Sequence, residues 1–274
     1  MSTATIDTSA ARRSAGAGVD SQPVTLARTV KSEWIKLRSL RSSWAVLGAA
    51  VLSMPAVGLI IAYNTRNPAA VQDVADLTPS ATLKGYYLGQ LLIGALGVLF
   101  VSSEFSTGMI RSTFTAVPKR LPVLWAKLTV FFVVAAMVMT TTTIATFIVS
   151  QAVIGQYRTG FSLSDPGVWR VVLGTALYMV LAGVIGGMIG WIVRSTPGAL
   201  VSYFALVFVL PVLDLFGSAG RHVAQFLPSQ AGAAFIVTEP DSPHLSPGVG
   251  ALVLCAWTGA AIVVGATSLR LRDA

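Results

Sequence analysis

Few residues in this chain have the types and spacing to do chemistry. His222 and His244, its only histidines, fall in one loop, and two imidazoles alone are short of the three or four ligands of a zinc site. Cys255 is the single cysteine and lies in an apolar run, so neither an intramolecular disulfide nor a thiolate metal site is expected. Asp214 stands near the end of another apolar run. A carboxylate deep in a membrane is a functional candidate, but at this position water can also solvate it, and no other apolar stretch offers it an obvious partner. The sequence holds no G-x-x-x-x-G-K-[ST] phosphate loop and no H-E-x-x-H zinc motif. What stands out is "SSEFSTGMIRSTFTAVPKR" (102–120), a run of hydroxyls, one glutamate and three basic side chains between two stretches poorly soluble in water. Its composition suits contact with a partner more than bond making.

The elements around that run set its position. Of 274 residues 54% are apolar and only 11% charged, against roughly 25% charged in soluble domains. Such a chain cannot cover an ordinary water-facing surface. Crossing the roughly 30 Å of bilayer hydrocarbon takes about 20 mostly apolar residues. Six segments qualify: 44–63, 83–103, 124–154, 169–193, 198–216 and 248–269. The expected fold is all-α, a polytopic membrane protein with six transmembrane helices. Residues 1–23 read as a disordered cytosolic tail without the apolar region of a signal peptide, and 24–274 as the membrane domain.

Orientation follows from the Lys/Arg bias of the connections. With the N-terminus inside, fourteen of the 19 basic residues fall on the cytosolic side and five (Arg66, Lys84, Arg158, Arg170 and Arg221) outside. Both termini and residues 102–120 are then cytosolic. The net charge of +8 is a topology signal, with no case for nucleic acid.

Two cytosolic pieces look like working parts. In "VTLARTVKSEWIKLRSLRSS" (24–43), Leu26, Val30, Trp34, Leu37 and Leu40 share one helical face, while Arg28, Lys31, Lys36 and Arg38 lie around the other. This describes a basic amphipathic helix at headgroup level, with Trp34 as an interfacial anchor. Glu33 falls within the apolar arc, so it needs a cation or a partner protein unless it snorkels. In the second piece, Ser102 or Ser103 can cap a short helix with Glu104 in its first turn. Phe105, Met109 and Ile110 offer an apolar ridge, Arg111 stands near the far end, and Pro118 stops the helix. An ordinary loop between spans is the plainer alternative.

With these residues in view, the chain resembles a permease subunit of the type-2 exporter class of ATP-binding-cassette (ABC) transporters. The likeness rests on "KSEWIKLRSLRSSW" (31–44) before the first span and "SSEFSTGMIRSTFTAVPKRLPVLWAKL" (102–128) after the second. "FLPSQAGAAFI" (226–236) before the last span is a weaker match, and the likeness runs from about residue 24 to the end. The resemblance implies that residues 102–120 are the coupling element touching an ATPase subunit. Glu104, Thr107, Gly108 and Arg111 hold matching positions, with Phe105 and Met109 beside them. Lys31, Glu33, Trp34, Lys36 and Arg38 match the interface helix. It further implies re-entrant helices on either side of Pro228 and a second permease subunit, forming a homo- or heterodimer in the cell membrane. Export by alternating access would be driven by ATP and magnesium bound in the partner, with no cofactor and no enzyme activity in this chain.

The spans say less about a path. Thr142, Thr146 and Ser150, or Thr143 and Thr146, share a helix face and could line a route for a polar or amphiphilic substrate. Threonine hydroxyls also bond the carbonyl one turn back with no ligand present. Gly183 with Gly187, and Gly186 with Gly190, have the small-xxx-small spacing of close helix packing, within a subunit or across a dimer. Pro55 and Pro211 are expected to kink the first and fifth spans. A secondary transporter usually needs intramembrane carboxylates or broken helices, which counts against that rival. A non-transporting anchor, immunity factor or sensor fits the long cytosolic loop as well, and an intramembrane enzyme is the remotest reading.

Overall fold

The computed structural model describes residues 25–39, 41–66, 78–116, 120–237 and 245–271. The expected N-terminal tail, the helix stop at Pro118 and His244 lie outside the described residues. Every regular element among those described is helical. In chain order they are α1 (Leu26–Ser39), α2 (Arg41–Asn64), α3 (Tyr86–Ser106), α4 (Met109–Ala116), α5 (Arg120–Ile154), α6 (Val168–Val193), α7 (Thr196–Phe204), α8 (Gly217–Ala224), α9 (Pro228–Ile236) and α10 (Pro247–Leu271). A 3-10 turn, Ala81–Leu83, leads into α3.

Six helical stretches are long and apolar enough to cross a membrane: Arg41–Asn64, Ala81–Ser106, Arg120–Ile154, Val168–Val193, Thr196–Leu215 and Pro247–Leu271. The 35 residues of α5 reach about 50 Å at 1.5 Å per residue, well beyond the hydrocarbon, so one end of α5 projects from it. The second segment departs from expectation. Its helix does not stop to let Ser102 or Ser103 cap a new one but runs on to Ser106, keeping Glu104 in its last turn. The break comes at Gly108, whose φ of +72° is a left-handed conformation costly for any residue with a Cβ. That turn swings α4 off the α3 axis.

The centre of the bundle is α6, with 72% of its apolar stretch buried, against 17% for the fifth span. Glycines set how close α3 and α6 come. A Cβ on Gly97 would lie 2.1 Å from the Gly183 carbonyl oxygen, and one on Gly186 would lie 2.3 Å from that of Gly94. The small-residue spacing in α6 therefore serves packing inside one chain, with Gly187 facing Gly97 and Gly190 facing Val101. Farther along, Gln90 of α3 is a buried polar tie. Its side-chain oxygen accepts from the Tyr178 hydroxyl of α6, and its backbone oxygen accepts from the Tyr203 hydroxyl of α7 at 2.8 Å.

Pro55 sits inside α2 without ending it. Pro211 has a larger effect. The fifth span leaves α-helix before it, passing through a π turn (Ala205–Val209) and then a 3-10 segment (Leu210–Leu215). A proline at 211 has no N–H for the carbonyl four residues back and its ring crowds that turn. Beyond it, α8 and α9 form two short helices, with Pro228 in the first turn of α9. Asp214, which the sequence left without a partner, is partly exposed and lies 3.5 Å from Arg221 of α8.

Gly186→Ala tests the α3–α6 seam. The added methyl meets backbone, which cannot rotate away, so thermal unfolding in detergent should show a loss of about 1–3 kcal/mol. Gly259→Ala in α10, where a Cβ meets nothing within 4 Å, should show none. Equal effects would mean the seam is not close-packed.

Candidate functional site

At the end of the bundle carrying α1, four charged side chains from three helices close into one cluster, with Glu33, Glu104 and Lys127 buried and Lys36 partly exposed. Lys127, from the second turn of α5, is only 2% exposed. Its ammonium donates to Glu33 Oε2 of α1 at 2.6 Å and to Glu104 Oε1 of α3 at 2.8 Å. It also reaches the Phe100 carbonyl at 3.4 Å and sits 4.4 Å from the Phe100 ring centre. Lys36 completes the ring, donating to Glu33 Oε1 and to Glu104 Oε1, both at 2.8 Å. Two carboxylates and two ammoniums thus alternate, and the cluster is neutral as a whole.

A fourth helix joins through Lys36, which donates to Thr113 Oγ1 of α4 at 3.4 Å. Burial works against the Lys36 charge, but hydrogen bonds and attraction from Glu104 and Glu33 outweigh it, leaving its pKa above the ordinary lysine value. A lysine whose pKa rises on folding stabilises fully at neutral pH and loses that contribution only as pH climbs through the folded value.

The cluster changes how the expected site residues are understood. Glu33 finds its cation in Lys127 and Lys36, inside the chain. Its burial rotates α1, so that Thr29, Glu33 and Leu37 face the bundle. Leu26 and Trp34, from the apolar face expected to lie at headgroup level, are 54% and 40% exposed, while Leu37 of the same face is buried. Lys31 and Arg38 remain exposed. Glu104 is likewise buried, 5% exposed, so it acts inside the chain and not as a surface contact. The expected ridge is divided. Phe105 packs edge-on to Trp191 at 5.4 Å, Ile110 is buried and Met109 is half exposed. Thr107 back-bonds to the Ser103 carbonyl, Gly108 makes the turn, and Arg111 lies in α4.

Neighbouring ties hold the same end together. Ser102 of α3 and Thr196 at the start of α7 share a 2.8 Å hydrogen bond. Arg194 and Arg120 donate to the Ser268 and Leu269 carbonyls of α10 at 3.2 and 3.3 Å, placing positive charge at a helix C-terminus. Thr142, Thr143, Thr146 and Ser150 are all buried. Thr143 bonds back to the Met139 carbonyl, while Ser150 and Thr146 pack toward Gly58 of α2. Thr146 and Ser150 thus sit in the seam between α2 and α5.

Lys127 is the member of the cluster that sequence reasoning passes over. In the charge bias it counts only toward orientation, although it lies inside the third apolar run, and a lysine within a span is itself a signal. Thr113 and Gln90 give no comparable sign. Among the described residues no group of three or more His, Cys, Asp or Glu is gathered as a metal site.

Six apolar helices, a separate helix ahead of the first, and a short helix hung between the second and third define a multi-pass membrane protein of permease build. Residues 29–213 match the family model described as ABC-2 family transporter protein, and the chain belongs to that family. The matched stretch holds all four clustered charges and stops short of α8 and α9. Comparison with curated proteins found no match.

Lys127→Met would strand two buried carboxylates with one ammonium and should cost about 3–5 kcal/mol in thermal or denaturant unfolding. Adding Glu33→Gln should recover part of that loss, a coupling that a double-mutant cycle reads directly. Strict additivity of the two changes would mean the charges do not interact.

Proposed function

We propose that this chain is the membrane-spanning half of an ABC exporter whose power stroke is delivered by a separate ATPase subunit docking on α4 and the adjoining face of α1. The charge cluster is the observation that carries this reading. Through Lys36 a displacement of α4 is felt by α1, α3 and α5 together. A loop that merely connected two spans would not need a buried, neutralised ion network behind it. The exposed side of α4 presents Met109, Ser112 and Thr115, a small, mildly apolar surface suited to a partner's groove.

In this reading the α1 end faces the cytosol, in keeping with the Lys/Arg bias, and the protein sits in the cell membrane with both termini inside. Two permease subunits pair, each on its own ATPase. ATP and magnesium bound by the partner supply the energy. This chain converts closure of the ATPase pair into a tilt of α3 and α5, opening the path between subunits from inward to outward. The Gly108 turn lets α4 take the push at an angle to the spans, and the ion cluster keeps the three helix ends moving as one.

Two measurements test this. Affinity purification in mild detergent should bring down a Walker-motif ATPase with the native chain. A Met109→Glu, Ser112→Arg variant should elute normally yet lose that partner. Retention by both, or absence from both, rejects α4 as the docking element. For sidedness, in a Cys255→Ala background, an impermeant maleimide should label Ser164→Cys in intact cells and Ser112→Cys only after permeabilisation. The reverse pattern overturns the orientation.

A further inference from the structure

Near the end opposite α1, three hydroxyls are buried in the seam between α2 and α5. Thr82 of the 3-10 turn, and Thr146 and Ser150 of α5, are each at most 2% exposed. Their Oγ atoms have no hydrogen-bond partner among the described residues. The three residues meet at Gly58 of α2, where a Cβ would lie 2.6 Å from the Thr82 carbonyl oxygen, 2.9 Å from Ser150 Oγ and 2.9 Å from Thr146 Cγ2. Other buried threonines of the spans behave differently. Thr143, Thr175 and Thr258 each donate to the carbonyl four residues back, at 2.7, 2.7 and 2.9 Å. That bond is open to any helical serine or threonine. Thr146 and Ser150 forgo it, and Ser150 points its oxygen at Gly58 instead.

A cation crosses the same seam at its end. The Arg66 guanidinium, just past α2, sits 4.6 Å from the ring centre of Tyr63 in α2 and 5.1 Å from that of Tyr157, just past α5. All three side chains are exposed. Gly58 lies eight residues before Arg66, and Ser150 four before the end of α5, so the hydroxyls sit about 6–12 Å deeper along the helices. Ile154, fully buried, lies between. A cation–π contact at an exposed site is weak, whereas a buried hydroxyl without a partner is costly. Parting the helices at this end loses the weak contact and lets water satisfy three hydroxyls.

We propose that α2 and α5 part at this end, with Arg66 on Tyr157 as the latch, and that the opened seam is a water-filled cleft lined by Thr82, Thr146 and Ser150. Each hydroxyl both donates and accepts, so the cleft takes water or another neutral hydrogen-bonding group. Gly58 brings the closed seam to backbone contact and keeps those hydroxyls covered. The cleft lies within one chain, apart from any path between subunits. The inference needs the chain to span a membrane and does not depend on how an ATPase docks.

The test uses the full chain carrying Cys255→Ala, in membranes permeabilised so that reagent reaches both faces. The probe is sulfonatoethyl methanethiosulfonate, an anion that modifies thiols in water and not in lipid. Ser150→Cys should react slowly with the latch intact and on the order of fivefold faster when Arg66→Gln is added. Removing a positive charge by itself slows an anionic reagent, so acceleration reports opening. Tyr157→Leu should accelerate the reaction likewise, while Arg66→Lys, which keeps a cation for the rings, should leave it near the slow rate. Thr175→Cys, buried in α6, should stay unreactive throughout. No reaction of Ser150→Cys in any background, or one rate with and without the latch, overturns the proposal. Reaction of Thr175→Cys alongside it means that the whole bundle has loosened, and overturns it as well.

Discussion

Lys127 is the charge around which the base of this bundle has to be arranged. An ammonium 2% exposed beside a membrane is tolerable only if its N–H groups donate to carboxylates. The two carboxylates within reach come from distant parts of the chain, Glu33 ahead of the first span and Glu104 at the end of the second. Each of those in turn requires more positive charge than one lysine gives, which Lys36 supplies. The result fixes the rotation of α1, the length of α3 and the depth of α5 at once. Such a cluster is not an obvious source of net stability, since desolvation consumes much of the attraction. Its gain is in geometry: the four charges tie α1, α3 and α5 to one another.

The rest of the bundle divides by what holds it. Between α3 and α6 the contact is backbone on backbone, permitted by Gly94, Gly97, Gly183 and Gly186, and the Gln90 side chain and carbonyl extend the tie to α6 and α7. These are dispersion and hydrogen-bond contacts of the kind that drive helix association in lipid, where no hydrophobic force acts between helices. The fifth span is different. It is mostly exposed, leaves α-helix ahead of Pro211 and ends in short helices. The α3–α6 pair is thus closely packed, with Glu104 of the ion cluster at one end of α3, while the fifth span is peripheral and irregular.

The same partition gives the surface near α1 its character. Glu33 and Glu104 turn inward and are buried, while Arg38 and Arg41 of the same end are exposed. Internal pairing and external basicity are two sides of one arrangement.

The family resemblance is legible in two short stretches, and the six spans are legible because an apolar run of membrane length is costly to place anywhere but in lipid. The helix packing of α6 is readable too, since glycine four apart leaves little else to do. Less can be read where residues distant in sequence meet. That Glu33 turns into the bundle does not follow from the periodicity of α1, because its partner Lys127 lies 94 positions away. The helix break after the second span falls later than local signals suggest. Ser102 and Ser103 are good caps locally, yet Ser102 bonds Thr196, and Glu104 is needed in the helix to reach Lys127. By itself, then, the sequence determined composition-level facts: membrane class, span number and the small-residue seams, all set by local hydrophobicity and size. The tertiary structure alone decided which charges are buried together, because burying one is ruinous unless three others arrive from elsewhere in the chain.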